Sequence, residues 1–425
     1  MSLKSTAAVC IIVENETVPF DRRVWLEARS LVEAGFNVSV VCPAAGDHRA
    51  SHEILEGVEI YRYPALEAKR KIGYVFEHAW ALICQFYLAL RVFSKTRFQV
   101  LQGCNPPDTI FLIALFFKIF GVRFVFDHHE LAPELYALRF RPEGFLYRLA
   151  RRFERLSFQT ADLCIATNDS FRDVAIEHGG VPPERIVVVQ TCAELRTLKE
   201  TRPSPDLKAG FRYMVVYAGR MEIQDGVDLL LSSIKHVVKD WGRGDVLFAL
   251  LGDGTELPKL GAMADSWGLG ANVRFTGRVP HSEVCSYLAT ANVCVAPDAM
   301  NSLNDNSSMV KIFEYMGFGK PIVLFDLKEG RRTADGAALF ACPNDPFDFA
   351  HQIVKLLDQP SLRDDLGKRG RKRVFERLNW EIEQRKLIAA YELLCGVEEI
   401  TIVEEYEEQS EPKARYDEES SLRHT

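Results

Sequence analysis

The sequence lacks the features of a disulfide-stabilised secreted protein and of a membrane-spanning protein. Its ten cysteines include no Cys-x-x-Cys pair and no regular spacing, which favours buried reduced thiols over a disulfide framework or a zinc site. The N-terminus shows no basic, apolar and small-residue succession, so we expect no signal peptide. Apolar runs such as 110–117 are broken by Lys118 and fall short of the roughly 18 residues that a membrane span needs. These absences favour a cytoplasmic protein.

The chain also lacks an excess of positive charge, since 52 basic residues face 59 acidic ones and the formal net charge is −7. Residues 397–425 hold ten acidic and three basic residues, which accounts for all of that net charge. The remaining body is neutral and shows no binding module, which argues against nucleic acid as a partner. We expect a disordered, solvated tail at 397–425, with a regulatory or partner-binding tail as the alternative.

Length and pattern predict two α/β domains. A chain of 425 residues is too long for one ordinary core, and β-rich runs alternate with helical stretches such as 22–34 and 74–94. Strands are predicted near 8–13, 38–42, 59–63, 100–102, 123–127, 163–166 and 186–189, then near 214–218, 247–251, 273–276, 293–296, 322–325 and 339–341. The expected organisation is two Rossmann-like, doubly wound domains at 1–200 and 211–378, a helix at 379–396 that packs back toward the first domain, and the tail at 397–425.

Polar loops follow the first, fourth and fifth predicted strands. In open α/β sheets ligands bind beyond the carboxyl ends of the strands, so we expect a ligand to bind at these loops. A His pair flanked by acids in the last loop suits donation to a substrate hydroxyl near neutral pH, with a structural histidine or a metal ligand as alternatives. The candidate residues in these loops are Asn15, Asp21, Arg22, Asn105, Asp108, His128 and His129.

The segment 304–321 is the most informative part of the sequence. It predicts a polar loop, a helix capped by Ser307 or Ser308, a Gly-Lys-Pro stop and a strand. The first amide N–H groups of such a helix favour a phosphate, and Glu314 follows Asn306 by about two turns. One helix can therefore hold a diphosphate at its end and a hydroxyl-bearing group at its side. An ordinary capped amphipathic helix is the alternative.

Two glycine-containing loops follow strands of the predicted second domain. Gly219 permits a close backbone turn, and Arg220 carries a permanent charge with a fork geometry that suits phosphate. Gly252 and Gly254 resemble part of a glycine-rich nucleotide loop, although a Gly-x-Gly spacing equally fits a plain turn.

Together these loops resemble those of the family 4 glycosyltransferases with the GT-B fold. The likeness runs from about Val9 to Leu394 and rests on several motifs in order, at 15–25, 127–130, 275–280 and 311–316. The resemblance implies retaining transfer of a sugar from a nucleotide diphosphate donor, held mainly by the second domain, to an acceptor hydroxyl. It also implies front-face attack in which the departing phosphate helps deprotonate the acceptor, with no metal and no other cofactor.

The resemblance assigns roles to individual residues. It implies that Arg220 contacts the donor diphosphate, that Glu314 holds the ribose hydroxyls, and that His129 lies close to the transferred sugar; these three are the catalytic candidates. It also implies that the candidates in the first-domain loops form the acceptor side. The donor-binding candidates are Gly219, Arg220, Gly252, Gly254, Asn306, Ser307, Ser308, Lys311 and Glu314.

The chain departs from the family pattern at two positions. Asn306 replaces the first acid of the acid-x7-acid motif, so its contact to the donor sugar becomes an amide or falls to Asp305. Asp225 replaces a lysine that commonly follows the arginine, which places a carboxylate near two phosphates. Either Asp225 points away, or Lys311 supplies the missing charge.

The expected function is transfer to a saccharide or lipid-linked acceptor in surface or exported polysaccharide biosynthesis. The alternatives are a nucleotide-sugar epimerase on the same fold and a catalytically silent binding subunit. Aromatic residues at 73–88 with basic residues on both sides suggest contact with the inner face of a membrane, although a core helix with solvated basic ends fits as well.

Overall fold

The computed structural model describes residues 7–46, 48–66, 71–139, 144–195, 198 and 201–396. Within these ranges the chain forms two domains, each built on a largely parallel sheet with an apolar cluster on either face. The predicted pair of doubly wound domains is therefore confirmed as the fold class.

The first sheet runs in the order β3-β4-β2-β1-β5-β6-β7-β8. Its strands are β1 Ala8–Ile12, β2 Asn37–Ala44, β3 His52–Leu55, β4 Val58–Pro64, β5 Val100–Cys104, β6 Arg123–His128, β7 Leu163–Ala166 and β8 Ile186–Val188. All neighbours pair in parallel except β3, which adds antiparallel to β4 at the edge. This edge strand was not predicted, because its sequence His-Glu-Ile-Leu is half polar and none of its residues is fully buried, so it lacks the continuous apolar run that most of the other strands have.

The second sheet is parallel throughout and runs in the order β11-β10-β9-β12-β13-β14. Its strands are β9 Tyr213–Ala218, β10 Val246–Leu251, β11 Val273–Gly277, β12 Val293–Ala296, β13 Ile322–Phe325 and β14 Ala338–Ala341. Strands β10, β12 and β13 are buried along their whole length, as expected where helices cover both faces of a sheet.

Helices connect the strands of both sheets. In the first domain they are α1 Arg22–Glu33, α2 Lys71–Thr96, α3 Phe111–Lys118, α4 Ala132–Arg139, α5 Phe145–Thr160 and α6 Asp169–Glu177. In the second they are α7 Val227–Lys235, α8 Leu257–Ser266, α9 His281–Thr290, α10 Ser302–Asn306, α11 Val310–Gly317, α12 Lys328–Ala334, α13 Pro346–Asp358 and α14 Pro360–Glu376. Short 3-10 turns lie at Pro183–Arg185, Pro205–Lys208 and Ile223–Asp225, and a π turn at His236–Asp240 extends α7.

The last helix, α15 Trp380–Cys395, begins at the second domain and packs against the first. Asn379 caps its start by accepting a hydrogen bond from Ile382 N, and Gly396 ends it in the left-handed region at φ +69°. Trp380 donates its indole N–H to Ser30 of α1 over 2.9 Å. The helix therefore ties the two domains together behind the sheet edges that hold the candidate site.

Candidate active site

The carboxyl ends of β1 and β9 meet across a cleft between the domains. The loop after β1 carries Glu16 and leads to Arg22, the first residue of α1, while Arg220 follows β9. Arg220 Nη2 lies 3.0 Å from Glu16 Oε2, and Arg22 forms an ion pair with Glu314 of α11. Two ion pairs thus join the same loop of the first domain to the second domain.

The two side chains that the resemblance matched to the donor both face this cleft. The Glu314 side chain is 14% exposed, and its ion pair is with Arg22 of the opposite domain. The Arg220 guanidinium is 66% exposed and contacts one carboxylate, that of Glu16. Because an exposed ion pair contributes little stability, separating Glu16 from Arg220 costs little free energy.

The predicted serine cap of α11 is wrong. The helix begins at Val310 after Met309, and no side chain caps this described terminus. Ser307 Oγ instead donates to Leu303 O over 2.7 Å, and Ser308 Oγ accepts from Asn168 Nδ2 of the first domain over 3.1 Å. Both hydroxyls are occupied elsewhere, so the first amide N–H groups of α11 are left without a side-chain acceptor.

The residues before these serines do not form the predicted polar loop. They form the short helix α10, which Asn301 caps by accepting from Asn304 N over 2.9 Å. The Asn306 side chain donates to Ser302 O over 2.8 Å, which is a hydrogen bond within α10. Asp305 accepts from Lys328 N over 2.8 Å. The residue in place of the family's first acid is therefore engaged with its own helix.

Lys311 lies between two carboxylates of the second domain. Its Nζ is 2.7 Å from Asp298 Oδ1 and 3.8 Å from Asp225 Oδ1, and 5.0 Å from the centre of the Tyr217 ring. Burial raises the pKa of Asp225 to about 6, although Lys311 opposes the shift. Asp225 thus points toward Lys311, and the lysine charge is shared by two acids.

The glycines of the second domain allow two loops to lie against each other. A Cβ at Gly252 would lie 1.8 Å from Gly219 O, and one at Gly254 would lie 2.3 Å from Met221 O. The loops are joined by a hydrogen bond from Met221 N to Asp253 O over 2.8 Å. Close backbone packing is therefore sufficient to explain these glycines, and it fixes the loop that presents Arg220.

Several first-domain candidates shape the loop that carries His129. Asn105 Oδ1 accepts from His129 N over 2.6 Å, and Asn105 Nδ2 donates to Asp108 Oδ1 over 3.0 Å. Asp21 caps α1 by accepting from Val24 N over 3.0 Å. Asn105 and Asp21 thus position backbone, and Asp108 orients the Asn105 side chain, whereas Asn15 is exposed in the loop after β1. Burial raises the pKa of Asp108 well above its usual value.

His129 is held by a buried ionic network. Its Nε2 lies 2.5 Å from Asp127 Oδ2, and Arg23 Nη2 lies 2.8 Å from Asp127 Oδ1. Burial raises the pKa of Asp127, but Arg23 and His129 outweigh it and leave that pKa below its usual value. Burial lowers the pKa of His129, but Asp127 outweighs it and leaves that pKa raised. His129 is therefore favoured as an imidazolium, a hydrogen-bond donor.

The network continues away from the cleft to α15. Gln102 Nε2 donates to Asp127 Oδ2 over 3.1 Å and to Glu27 Oε2 over 2.7 Å. Tyr391 of α15 donates to Gln102 Oε1. Burial and the Asp127 charge raise the pKa of Glu27 to about 8. The position of His129 thus depends on a helix that follows the second domain in the chain.

His128 lies on the other side of its strand from His129. Its side chain is 1% exposed and packs among Phe126, Phe158 and Phe171. Neither ring nitrogen has a hydrogen-bond partner in the described chain. Successive residues at the end of β6 point to opposite faces, so a neighbour of a cleft residue lies in the core. The expected acceptor-side position of His128 is therefore corrected to an interior one.

One group of side chains in the described ranges has a geometry that suits a metal, namely Cys104, Asp127 and His129. The Arg23 guanidinium lies 2.8 Å from the same carboxylate, and its charge opposes a bound cation. Burial raises the pKa of Cys104 well above its usual value, which disfavours the thiolate that a metal would need. The cluster is explained by ion pairing.

Sequence reasoning missed the residues that support the site. Arg23, Glu27, Gln102 and Tyr391 were not singled out, and Glu16 was noted only as part of its loop. One signal in the sequence could have indicated these supporting residues. It is a charged or amide side chain at a position where the strand or helix pattern is otherwise apolar. Gln102 within β5 and Glu27 on the buried face of α1 show that signal.

Comparison with known families agrees with this architecture. Residues 21–192 match the model of the glycosyl transferase 4-like domain, and residues 212–359 match that of the group 1 glycosyl transferases. The chain belongs to the family 4-like glycosyltransferases. Both matches lie within the described domains, and together they cover most of the chain.

Individual relatives of this family 4-like glycosyltransferase are distant. It is 21% identical over 277 residues to a phosphatidylinositol N-acetylglucosaminyltransferase subunit from Arabidopsis thaliana, and the match covers 64% of this chain and 57% of that protein. The chain spans about half the length of the first curated relatives it matches.

Solved structures of similar fold are also distant in sequence. Sucrose-phosphate synthase from Thermosynechococcus elongatus superposes with a TM-score of 0.76 at 18% identity, covering 92% of this chain and all of that one. Anabaena HepE, solved in complex with UDP and glucose, superposes with a TM-score of 0.68 at 13% identity, covering 90% and 98%. At these identities the likeness shows the GT-B fold alone.

Proposed function

We propose that this protein is a retaining glycosyltransferase that moves a sugar from a nucleotide diphosphate donor to a hydroxyl of a saccharide or lipid-linked acceptor. The observation that carries the proposal is the pairing of Arg220 with Glu16 and of Glu314 with Arg22 across one cleft. Two side chains 94 positions apart, both matched to donor contacts in the family, thus face the same gap.

Donor binding exchanges these ion pairs for contacts to the ligand. The diphosphate takes the place of Glu16 at Arg220, and the ribose hydroxyls donate to the Glu314 carboxylate. Arg22, released from Glu314, then adds its charge to the phosphate side of the cleft. A neighbour of the same fold was solved with UDP-glucose, which supports a nucleotide sugar as the donor class.

The chemistry follows from where charge develops. Breaking the anomeric C–O bond leaves negative charge on the nucleotide diphosphate, which Arg220, Arg22 and the uncapped amides at the start of α11 stabilise. These cations and dipoles supply the stabilisation without a metal ion. His129, favoured as an imidazolium by Asp127, donates a hydrogen bond to a hydroxyl of the transferred sugar.

A lipid-linked acceptor is supported by the outer surface of the first domain. Five exposed side chains of α2 repeat at intervals of three and four residues, which places them on one face; we name them the α2 stripe: Phe76, Trp80, Ile83, Tyr87 and Leu90. The neighbouring Arg91 is exposed as well. Apolar side chains beside basic ones suit the surface of an anionic membrane.

Among the described helices, none has both the length and the apolarity needed to cross a bilayer. The proposed contact is therefore peripheral, and the acceptor reaches the cleft from the membrane surface. Synthesis of a surface or exported polysaccharide is the process that such an acceptor suits.

A second candidate is a silent binding subunit, which one observation favours. Asn306 turns into α10, and Asp225 shares Lys311 with Asp298, so neither position offers the family's usual donor contact. Nucleotide binding without turnover across a broad donor panel would support this candidate. An epimerase would alter the donor sugar with no acceptor present, whereas a transferase requires one.

The proposal is tested with Glu314→Ala and Arg220→Ala. Each change is expected to lower kcat/KM for the donor by about tenfold or more, roughly 1.4 kcal/mol. A panel of nucleotide diphosphate sugars first identifies the donor by thermal stabilisation, because a ligand of the folded state raises the unfolding temperature. The anomeric configuration of the product then shows whether transfer is retaining.

The matched controls are Glu376→Ala and Arg369→Ala on α14. Arg369 is exposed and pairs with one carboxylate, Asp365, as Arg220 does with Glu16. Glu376 is an exposed acid far from the cleft. Both controls should leave donor use unchanged. Wild-type turnover in both cleft variants would remove the proposed site.

A further inference from the structure

A cavity of about 420 Å³ lies on the second domain away from the cleft. Its lining includes Asn292 and Lys320, which precede β12 and β13, so it opens at the amino edge of the sheet. The cleft lies at the carboxyl edge of the same sheet. Helix α11 connects the two edges, with Lys311 near the cleft and its carboxyl end at the cavity.

Positive charge dominates the lining. Four cations face the cavity together with one carboxylate: Lys320, Arg363, Lys368, Arg371 and Asp364. Across the described ranges, none of these cations forms an ion pair with a carboxylate. The cavity thus differs from the cleft, where each arginine faces an acid.

Three of these cations are fixed by backbone carbonyls at the carboxyl ends of three helices. The bonds run from Lys320 Nζ to Ala289 O over 2.7 Å, from Arg371 Nη1 to Gly317 O over 3.0 Å and from Arg363 Nη1 to Leu357 O over 2.8 Å. The helices are α9, α11 and α13. These contacts use one nitrogen of each guanidinium and leave the others free to bind a ligand.

Helix capping alone does not balance this charge. The carboxyl end of a helix carries roughly −0.5 elementary charge. Three helix ends and the Asp364 carboxylate together offset about 2.5 of the four positive charges, which leaves an excess of about 1.5. Lys208 is a further cation near the lining. Burial and the Arg363 charge lower the pKa of Lys208. Burial also lowers the pKa of Lys320, and the Lys208 charge contributes to that shift. These cations therefore repel one another.

We propose that this cavity is a binding site for a phosphate-bearing small molecule, separate from the donor cleft. A phosphate group carries between one and two negative charges near neutral pH, so it offsets much of this positive excess. The forked guanidinium groups of Arg363 and Arg371 suit its oxygens, and Lys320 contributes a partly buried point charge. The volume accommodates a metabolite of the size of a sugar phosphate.

The test compares two lysines of α14. Lys368 lines the cavity, whereas Lys372 lies one turn further on, outside the lining, with its Nζ 3.9 Å from Glu376 Oε1. Inorganic phosphate and pyrophosphate are titrated into the full chain by calorimetry in a phosphate-free buffer. Lys368→Gln should weaken binding by about fivefold or more, and Lys368→Glu should weaken it further. Lys372→Gln should leave the affinity unchanged.

Two measurements separate this site from the cleft and from misfolding. Both lysines are exposed, so the variants should keep the wild-type unfolding temperature. Arg220→Ala changes the cleft and leaves the cavity intact, so this variant should still bind the phosphate probes at the cavity. Lys368→Glu should weaken that binding. Equal affinity in wild type and Lys368→Glu, or no binding of either probe, would overturn the proposal whatever the outcome of the donor assays.

Discussion

The two domains bury a carboxylate near the cleft in opposite electrostatic settings. In the first domain, Asp127 faces two cations, Arg23 and His129, and its pKa falls below the usual value even though burial opposes this. In the second domain, Asp225 shares the single cation Lys311 with Asp298, and burial raises its pKa to about 6. The charges of Arg23 and His129 together outweigh burial at Asp127, whereas the charge of Lys311, shared with Asp298, does not outweigh burial at Asp225.

The outer surfaces of the two domains differ as well. Large exposed apolar side chains are concentrated on the first domain, where the α2 stripe lies. The second domain exposes few in the described ranges, among them Phe347. The first domain thus combines a buried ionic network with an apolar outer surface. The second has fewer exposed apolar side chains and carries the more exposed cleft arginine, Arg220.

The largest expected effect on stability follows from removal of the Asp127 carboxylate. Asp127→Ala leaves Arg23 with one buried carboxylate, that of Glu27, whose Oε1 lies 3.0 Å from Arg23 Nε. Because the partner shared by Arg23 and His129 is lost, the change should lower the free energy of unfolding by about 3 kcal/mol at neutral pH. A depressed folded-state pKa gives stability that is present above the unfolded pKa, so this contribution is complete at pH 7. Urea unfolding measures the loss.

The matched control for this change is an exposed pair of the second domain. Asp326 and Arg331 lie 2.5 Å apart with both side chains exposed, so Asp326→Ala should cost less than about 1 kcal/mol. Equal losses in Asp127→Ala and Asp326→Ala would contradict the assignment of the Asp127 network as a stabilising core.

The second prediction concerns Asp225, whose contribution to stability depends on pH in the opposite sense to that of Asp127. The pKa of Asp225 is raised to about 6 in the folded state, whereas in the unfolded chain it is near 4. The folded state therefore binds the proton more tightly. This contribution to stability is complete below about pH 4 and is lost as the pH rises through about 6. Asp225→Asn removes this dependence. The stability of the variant relative to wild type should therefore rise by about 2 kcal/mol between pH 4 and pH 7.

Thermal unfolding at several pH values measures this difference. Asp228→Asn on α7, whose parent carboxylate is exposed, provides the control and should give a flat difference across the same range. If the stability of Asp225→Asn relative to wild type falls as the pH rises, the proposed difference between Asp225 and Asp127 is contradicted.

The smallest expected effect concerns vesicle binding by the α2 stripe on the outer surface of the first domain. Changing Trp80 and Tyr87 together to Ser should weaken binding to anionic vesicles by about tenfold, roughly 1.4 kcal/mol, because both rings lose their contact with the interface. Phe347→Ser removes an exposed ring of the second domain and should leave vesicle binding unchanged. Co-sedimentation with vesicles measures both. A similar loss in the two variants would remove the distinction between the surfaces.

Local pattern was enough to predict most of the strands and the two-domain fold. Alternating β-rich and helical runs located the thirteen predicted strands near their observed positions and missed only β3 within the described chain. The reason is that buried parallel strands require continuous apolar runs, whatever their neighbours are. Loops at strand ends also indicated His129 and Arg220, and the predicted helix within 304–321 indicated Glu314, while the family resemblance assigned the role of each.

Contacts between distant segments could not be read from the sequence. Whether Ser308 caps α11 or meets Asn168 depends on how the second domain packs against the first, 140 residues away. The same holds for Arg23 and Asp127, which lie 104 residues apart. The sequence by itself determined the elements, because apolar periodicity is a local property. The tertiary structure decided the partners of each charge, because an ion pair forms only where packing brings two buried groups within a few ångströms.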